Sequence, residues 1–179
     1  MKKSAPLISA ACLLLSAQAF GQTILQNPTA AESGAPRPPR ARGISTVLAV
    51  EAAQTAIATC VADGNKVTAI VVDSEAVPIA MISGDGAAAI TQRIAMGKAN
   101  ISIRTKMSSG DAVTKAKADA AFNAMLMGDP SLGVPRPGAI LIQEGSDIIG
   151  ALAISGSPTG DKDEACARAG LAKIQARLK

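Results

Sequence analysis

The stretch AILIQEGSDIIGALAIS, residues 139–155, predicts the centre of the fold. Two apolar runs, AILIQ and DIIGALAIS, flank the short polar segment EGS, and this spacing is typical of two strands joined by a tight turn. A second pair of the same kind lies upstream, where KVTAIVVDS at 66–74 precedes EAVPIAMIS at 75–83. We therefore expect two antiparallel hairpins. Pro78 places its strand at a sheet edge or turns its missing N–H away from a partner strand.

Segments of helical composition surround both hairpins. The segment GDGAA at 84–88 opens a long helix that Asp85 is placed to cap, and the other three helices are predicted at residues 48–63, 108–126 and 162–178. The element order α-β-β-α-α-β-β-α lacks the strand–helix alternation of a parallel sheet. It predicts an α+β fold of a single domain, with one antiparallel sheet packed between helices.

The junction after the last strand, GALAISGSPTGDKDEACA at 150–167, has two readings. Its glycines and Pro158 resemble a loop that cradles phosphate, but no lysine follows Gly160 as the phosphate-binding motif requires. Carboxylates at the helix start also oppose a bound anion. Asp161 stands three residues before Glu164, which favours a capping box at the start of the last helix.

The first residues have the pattern of a secretory signal peptide. Lys2 and Lys3 precede an apolar run at 5–15, and AQA at 17–19 offers small residues for cleavage. The run is too short for a permanent membrane-spanning helix. We therefore predict a signal peptide at 1–21, a periplasmic or secreted location, and no membrane association after cleavage.

A polar segment rich in proline and arginine follows the predicted signal peptide. Residues 22–43 include Arg37, Arg40 and Arg42 but almost no large apolar residue. Such a segment buries too little surface to offset the entropy lost on ordering. We predict a disordered linker here and assign the folded domain to residues 44–179.

Charge and aromatic content argue against a nucleic-acid partner. Loss of Lys2 and Lys3 from a chain with 18 basic and 14 acidic residues leaves a small net charge, and Phe20 and Phe122 are the only aromatic residues. Proteins that bind nucleic acid present a basic face and often aromatic platforms.

Histidine is absent from the whole chain, which restricts its chemistry. No Ser/His/Asp or Cys/His arrangement exists for nucleophilic catalysis, and no cluster has the ligand spacing of a zinc site. We therefore predict no catalytic residues and no metal site, and these residues favour a binding protein over an enzyme without deciding between them. Cys60 and Cys166 remain after the predicted cleavage, either as a disulfide or as two buried thiols.

Several segments in a fixed order resemble the GlcG/HbpS-like haem-binding family, also called the haem-degrading-domain family. The resemblance covers most of residues 46–178 and rests on these stretches: LAVEAAQTAI, AIVVDSEAVPIAM, GDGAAAITQRIAMGKA, PGAILIQEGSDIIGALAISG and DKDEACARAGLA. It implies a compact domain with an antiparallel sheet between helices, assembled into homo-oligomers. It also implies haem or a related tetrapyrrole as the ligand of some members, for storage, scavenging or redox sensing.

The resemblance gives candidate ligand-binding residues and one departure. Histidine, the usual iron ligand of haem-binding members, is missing, so the thioether of Met96 is a candidate ligand, and Arg93, Lys98 and Arg136 are candidates to hold propionates. The alternative is an oligomeric structural or interaction module of the same fold that has lost its ligand. The family fold also implies antiparallel terminal helices, which would bring Cys60 and Cys166 together as a disulfide.

Overall fold

A four-stranded antiparallel sheet forms the centre of this computed structural model, which describes residues 41–178. The strand order across the sheet is β2-β1-β4-β3, so the two predicted hairpins meet through their inner strands. Strand β1 pairs with β4 from Thr68 opposite Ser155 to Asp73 opposite Gly150. The strands are β1 Thr68–Asp73, β2 Pro78–Ser83, β3 Ala139–Glu144 and β4 Asp147–Ser155. Pro78 lies on the edge strand β2, where its missing N–H interrupts no inner ladder.

Helices α1 (Thr46–Ala62) and α5 (Gly160–Ile174) cover one face of the sheet. Helix α1 turns a row of fully buried alanines inward, Ala49, Ala52, Ala53 and Ala56. On α5, Gly170 faces this row, and a Cβ there would lie 2.9 Å from the Cβ of Ala56. The small side chains let the two helix backbones approach closely, which explains the alanine-rich composition of α1.

Both ends of the α1–α5 pair are joined. Cys60, near the end of α1, is disulfide-bonded to Cys166 of α5, with a Cα–Cα distance of 5.6 Å. At the opposite end, the guanidinium of Arg177 lies 2.7 Å from a carboxylate oxygen of Glu51. Together these contacts fix the antiparallel arrangement of the terminal helices.

Three helices lie on the other side of the sheet: α2 (Ile90–Thr105), α3 (Ser109–Ala118) and α4 (Ala120–Gly128). Ile70 of β1 packs there with Ala95 and Ala99 of α2. The prediction of one helix over 108–126 is wrong because Asp119 is extended, with φ −128° and ψ 103°. Its carboxylate accepts a hydrogen bond from the N–H of Phe122, so it caps α4. The predicted α+β fold and antiparallel sheet are otherwise confirmed, with one extra helix in the predicted order.

Two predicted helix caps are also wrong. Helix α2 begins at Ile90, because Gly86, at φ 73°, and a turn from Gly84 to Ala87 occupy the segment after Asp85. Helix α5 begins after Thr159, and no side chain caps it. Asp161 is exposed, and the carboxylate that acts at this junction belongs to Asp163.

The predicted signal peptide, and the predicted linker up to residue 40, lie outside the described residues. Arg42, which we assigned to the linker, pairs instead with Glu144 and Asp147 at the β3–β4 turn. Its backbone N–H also donates to Ser74 Oγ at 2.9 Å. The ordered domain therefore begins before residue 44. Within residues 41–178, no helix has the length and apolar character needed to cross a membrane.

Candidate functional site

A cleft of about 670 Å³ lies beside helix α2, between the edge strand β2 and the loop at 130–136. The cleft forms where α2 packs mainly over β1, β3 and β4, and among the described residues only a hydrogen bond from Gln92 to Ser83 Oγ is seen between α2 and the edge strand β2. Most of its surface is apolar, and the side chains that form the walls include Met81, Ile90, Ile94, Met96, Leu132 and Val134. Its volume is in the range of about 300–1,000 Å³ typical of small-molecule sites.

The loop wall of the cleft is held against α2 by specific contacts. The Asn100 side-chain amide donates to Ser131 O at 3.0 Å, and Asp129 Oδ1 accepts from the Ser131 N–H at the same distance. Gly97 permits the close approach, because a Cβ there would lie 2.7 Å from Leu132 O. The loop wall is therefore formed before any ligand arrives.

Three of the four predicted ligand-binding residues meet at this cleft. Arg93 and Met96 line it from α2, and Arg136 lines it from the loop, although Met96 and Arg136 are 40 positions apart in the sequence. Both arginines are exposed, and no aspartate or glutamate is among the lining residues. The cleft therefore combines apolar walls with uncompensated positive charge.

Lys98 is placed differently from the other three. Its side chain is only 2% exposed, and its ammonium donates to Asp163 Oδ2 at 2.6 Å and to Ile154 O at 2.8 Å. Burial lowers the pKa of Lys98, and Arg136 lowers it further, while the carboxylates of Asp163 and Glu164 raise it. Lys98 is not among the residues that line the cleft. Its side chain points into the core, where it joins α2 to Asp163 of α5 and to Ile154 of β4.

Gly138 sits against this buried ion pair and connects it to the cleft. Its φ of 130° is a conformation that favours glycine, and a Cβ there would lie 2.9 Å from the Cβ of Asp163. The N–H of Ile154 donates to Gly138 O at 2.8 Å. The backbone two residues after Arg136 is thus fixed, which positions that arginine at the cleft.

The junction at 156–160 offers no free anion cradle. The N–H of Ser157, one of the amides a phosphate would need, donates to Asp163 Oδ1 at 2.9 Å. Because Asp163 also pairs with Lys98, its carboxylate satisfies the loop from within the chain. The junction is therefore a structural connection between β4 and α5 rather than a phosphate site. Its backbone amide is satisfied by Asp163, and not by the predicted capping box of Asp161 and Glu164.

The cleft can hold an amphipathic anion. Guanidinium groups bind carboxylates and phosphates well, and thioether sulfur is a soft ligand suited to soft metal ions or haem iron. Within residues 41–178, no group of three His, Cys, Asp or Glu side chains is placed to hold a metal ion. The sequence showed the loop at 127–138 through its glycines and prolines. It gave no sign that Gly97 and Ser131 fix this loop to α2.

Comparison with known proteins connects this geometry to a family. A family model described as haem degrading protein HbpS-like matches residues 44–172. A double mutant of HbpS from Streptomyces reticuli is 26% identical, with a TM-score of 0.68, and the alignment covers 83% of this chain and 97% of that one. No curated protein sequence matches the chain.

Two further solved structures show the same fold at lower identity. A crystal structure of HbpS is 24% identical with a TM-score of 0.68, covering 77% of this chain and 94% of that one. The crystal structure of a PduOC:heme complex is 18% identical with a TM-score of 0.68, covering 74% and 95%. The family model spans most of the folded domain, and the chain therefore belongs to the HbpS-like haem-degrading protein family.

Proposed function

We propose that this chain is an exported protein that binds haem or a related tetrapyrrole in the cleft beside α2, for storage, scavenging or sensing. One observation carries the proposal: Arg93, Arg136 and Met96 gather at a single apolar cleft whose lining residues include no carboxylate. Family membership and the haem-bound PduOC neighbour support it.

The residues present fit a haem group. Apolar walls suit the flat macrocycle, and the two arginines suit its two propionates, because guanidinium and carboxylate form charge-assisted hydrogen bonds. Methionine is an established axial ligand of haem iron, so Met96 could bind the iron although the chain has no histidine. When bound, the iron would supply one-electron chemistry or binding of small gases.

The chain's own residues have distinct parts in such a site. Arg93 and Arg136 hold and orient the anionic edge of the ligand, and Ile90 and Val134 exclude water from its apolar edge. The buried pair of Lys98 and Asp163 does not contact the ligand. It fixes α2, and with it the position of Met96, against α5.

Export is supported by two features of the chain. The first is the basic and apolar pattern of residues 1–21. The second is the bond between Cys60 and Cys166, since disulfides form and persist in oxidising compartments. The periplasm or the exterior of the cell meets this requirement.

Titration of the protein with haemin tests the proposal, and we expect a shifted Soret band at micromolar protein. A band that stays unshifted both with haemin and with dithionite-reduced haem would contradict it. Arg93→Gln and Arg136→Gln should each weaken binding by roughly two- to fivefold, since an exposed ion pair contributes about 0.5–1 kcal/mol. Arg168→Gln is the matched control, because this exposed arginine lies on α5 across the sheet from the cleft. Equal loss in all three variants would show that the cleft arginines have no special role.

The second candidate function is an oligomeric structural or interaction module without a ligand. The edge strand β2 is open on one side, and Met81, Ile90 and Val134 beside it are 42%, 46% and 64% exposed. Open edges and exposed apolar groups favour association between chains. This reading predicts an oligomer without a chromophore in size-exclusion chromatography with light scattering. A strictly monomeric protein would contradict it.

A further inference from the structure

We propose that the cleft binds ferrous haem in preference to ferric haem, with the thioethers of Met81 and Met96 as its iron ligands. This inference rests on the proposed function and adds the ligand set and the preferred oxidation state. It follows from the few side chains that remain available to iron and from the charge of the cleft.

The usual axial ligands are almost all absent. Haem iron in proteins is held by histidine, cysteine thiolate, methionine or tyrosine, and this chain contains no histidine and no tyrosine. Cys60 and Cys166 are bonded to each other and therefore present no thiolate. The ammonium of Lys98 is held by Asp163 inside the protein. Methionine is the one remaining ligand type at the cleft.

Two methionines line the cleft from different elements. Met81 lies on β2 opposite Ile70 of β1, which packs on the α2 side of the sheet, and Met96 lies on α2 itself. Met81 is 42% exposed, and Met96 is half-buried at the margin of the core on this side of the sheet, so both side chains border the cleft. The other three methionines of the described chain, Met107, Met125 and Met127, lie outside the cleft.

Thioether ligation favours the reduced iron. Sulfur in methionine is neutral and soft, and its coordination raises the reduction potential of haem relative to histidine or thiolate ligation. Charge acts in the same direction, because ferric haem carries one more positive charge than ferrous haem. With both arginines paired to the propionates, the lining residues include no carboxylate that could stabilise the extra charge of the ferric iron, so the oxidised state is disfavoured.

Anaerobic titration of the whole protein with haemin and with dithionite-reduced haem tests the inference. We expect tighter binding of the reduced form by about tenfold, or about 1.4 kcal/mol, and a midpoint potential above that of free haem. Met81→Leu and Met96→Leu conserve side-chain volume. Each should abolish the low-spin ferrous spectrum and lower the potential, whereas Met125→Leu, outside the cleft, should change neither. Peptide mapping of alkylated thiols before and after dithionite verifies that the disulfide stays intact.

A gain-of-function variant distinguishes iron ligation by residue 96 from a simple packing effect of its side chain. Met96→His introduces the ligand that ferric haem prefers, so haemin affinity should rise and the midpoint potential should fall. Equal affinity for the two oxidation states, or leucine variants with unchanged spectra, would overturn this inference and leave the haem-binding function standing. Failure of haem to bind in either state would overturn both.

Discussion

Replacement of Lys98 by methionine should lower the free energy of unfolding by about 3–5 kcal/mol, the usual cost of removing one partner of a buried ion pair. The lysine and Asp163 side chains are 2% and 3% exposed, so water cannot replace the lost ammonium. Methionine fills most of the vacated volume, and the loss is therefore mainly electrostatic. The Asp163 carboxylate would remain buried with only the Ser157 N–H as a partner.

A double-mutant cycle separates the pair from its surroundings. Asp163→Asn keeps the side-chain shape and an oxygen acceptor for Ser157, and the double variant Lys98→Met/Asp163→Asn removes both charges. Its loss of stability in urea denaturation should be well below the sum of the two single losses. Lys162→Met is the control, because Lys162 is exposed on α5 and should change stability little. Additive losses in the cycle would contradict a coupled pair.

The strands were predictable because their information is local. Runs such as KVTAIVVDS are apolar and rich in β-branched residues, and each hairpin closes over a few residues. The pairing of β1 with β4, which places both hairpins in one sheet, joins residues more than 70 positions apart. No residue pattern indicated that β1 pairs with β4. The prediction of a single antiparallel sheet implied only that the two hairpins meet.

Helix ends were less predictable than helix bodies. Asp85, Asp161 and Asp163 all stand near predicted helix starts, and each is chemically able to cap one. Only Asp163 accepts a hydrogen bond from a junction amide, and its other carboxylate oxygen accepts one from Lys98 of α2. The choice among similar carboxylates depends on a tertiary contact that spacing along the chain does not encode.

The sequence indicated which residues to examine for a candidate site. Arg93, Met96 and Arg136 line one cleft, and their binding of a ligand stays a prediction. Lys98 follows Met96 by two positions on the same helix, and this step turns its side chain from the cleft to the core. A buried lysine is rare unless it is paired, and the partner of Lys98 is Asp163, 65 positions away, which the local sequence pattern does not indicate.

Loss of the disulfide should destabilise the protein by about 4–5 kcal/mol, since a bond that closes a loop of this length strongly restricts the unfolded chain. Cys60 and Cys166 are separated by 106 residues, and the bond joins the first helix to the last. At the other end of the same helix pair only the partly exposed contact of Arg177 with Glu51 remains, and it is too weak to compensate.

Three variants distinguish a bond from two packed thiols. If Cys60 and Cys166 are bonded, then Cys60→Ala, Cys166→Ala and the double variant should lose nearly the same stability in urea denaturation, because each removes the same constraint. Independent thiols would instead give small losses that add, about 1 kcal/mol for each deleted buried group. Iodoacetamide treatment of the unreduced, denatured wild-type protein gives a direct measurement, with peptide mapping to locate adducts. Both positions should be unmodified before reduction and alkylated after it, and an adduct at either one before reduction would refute the bond.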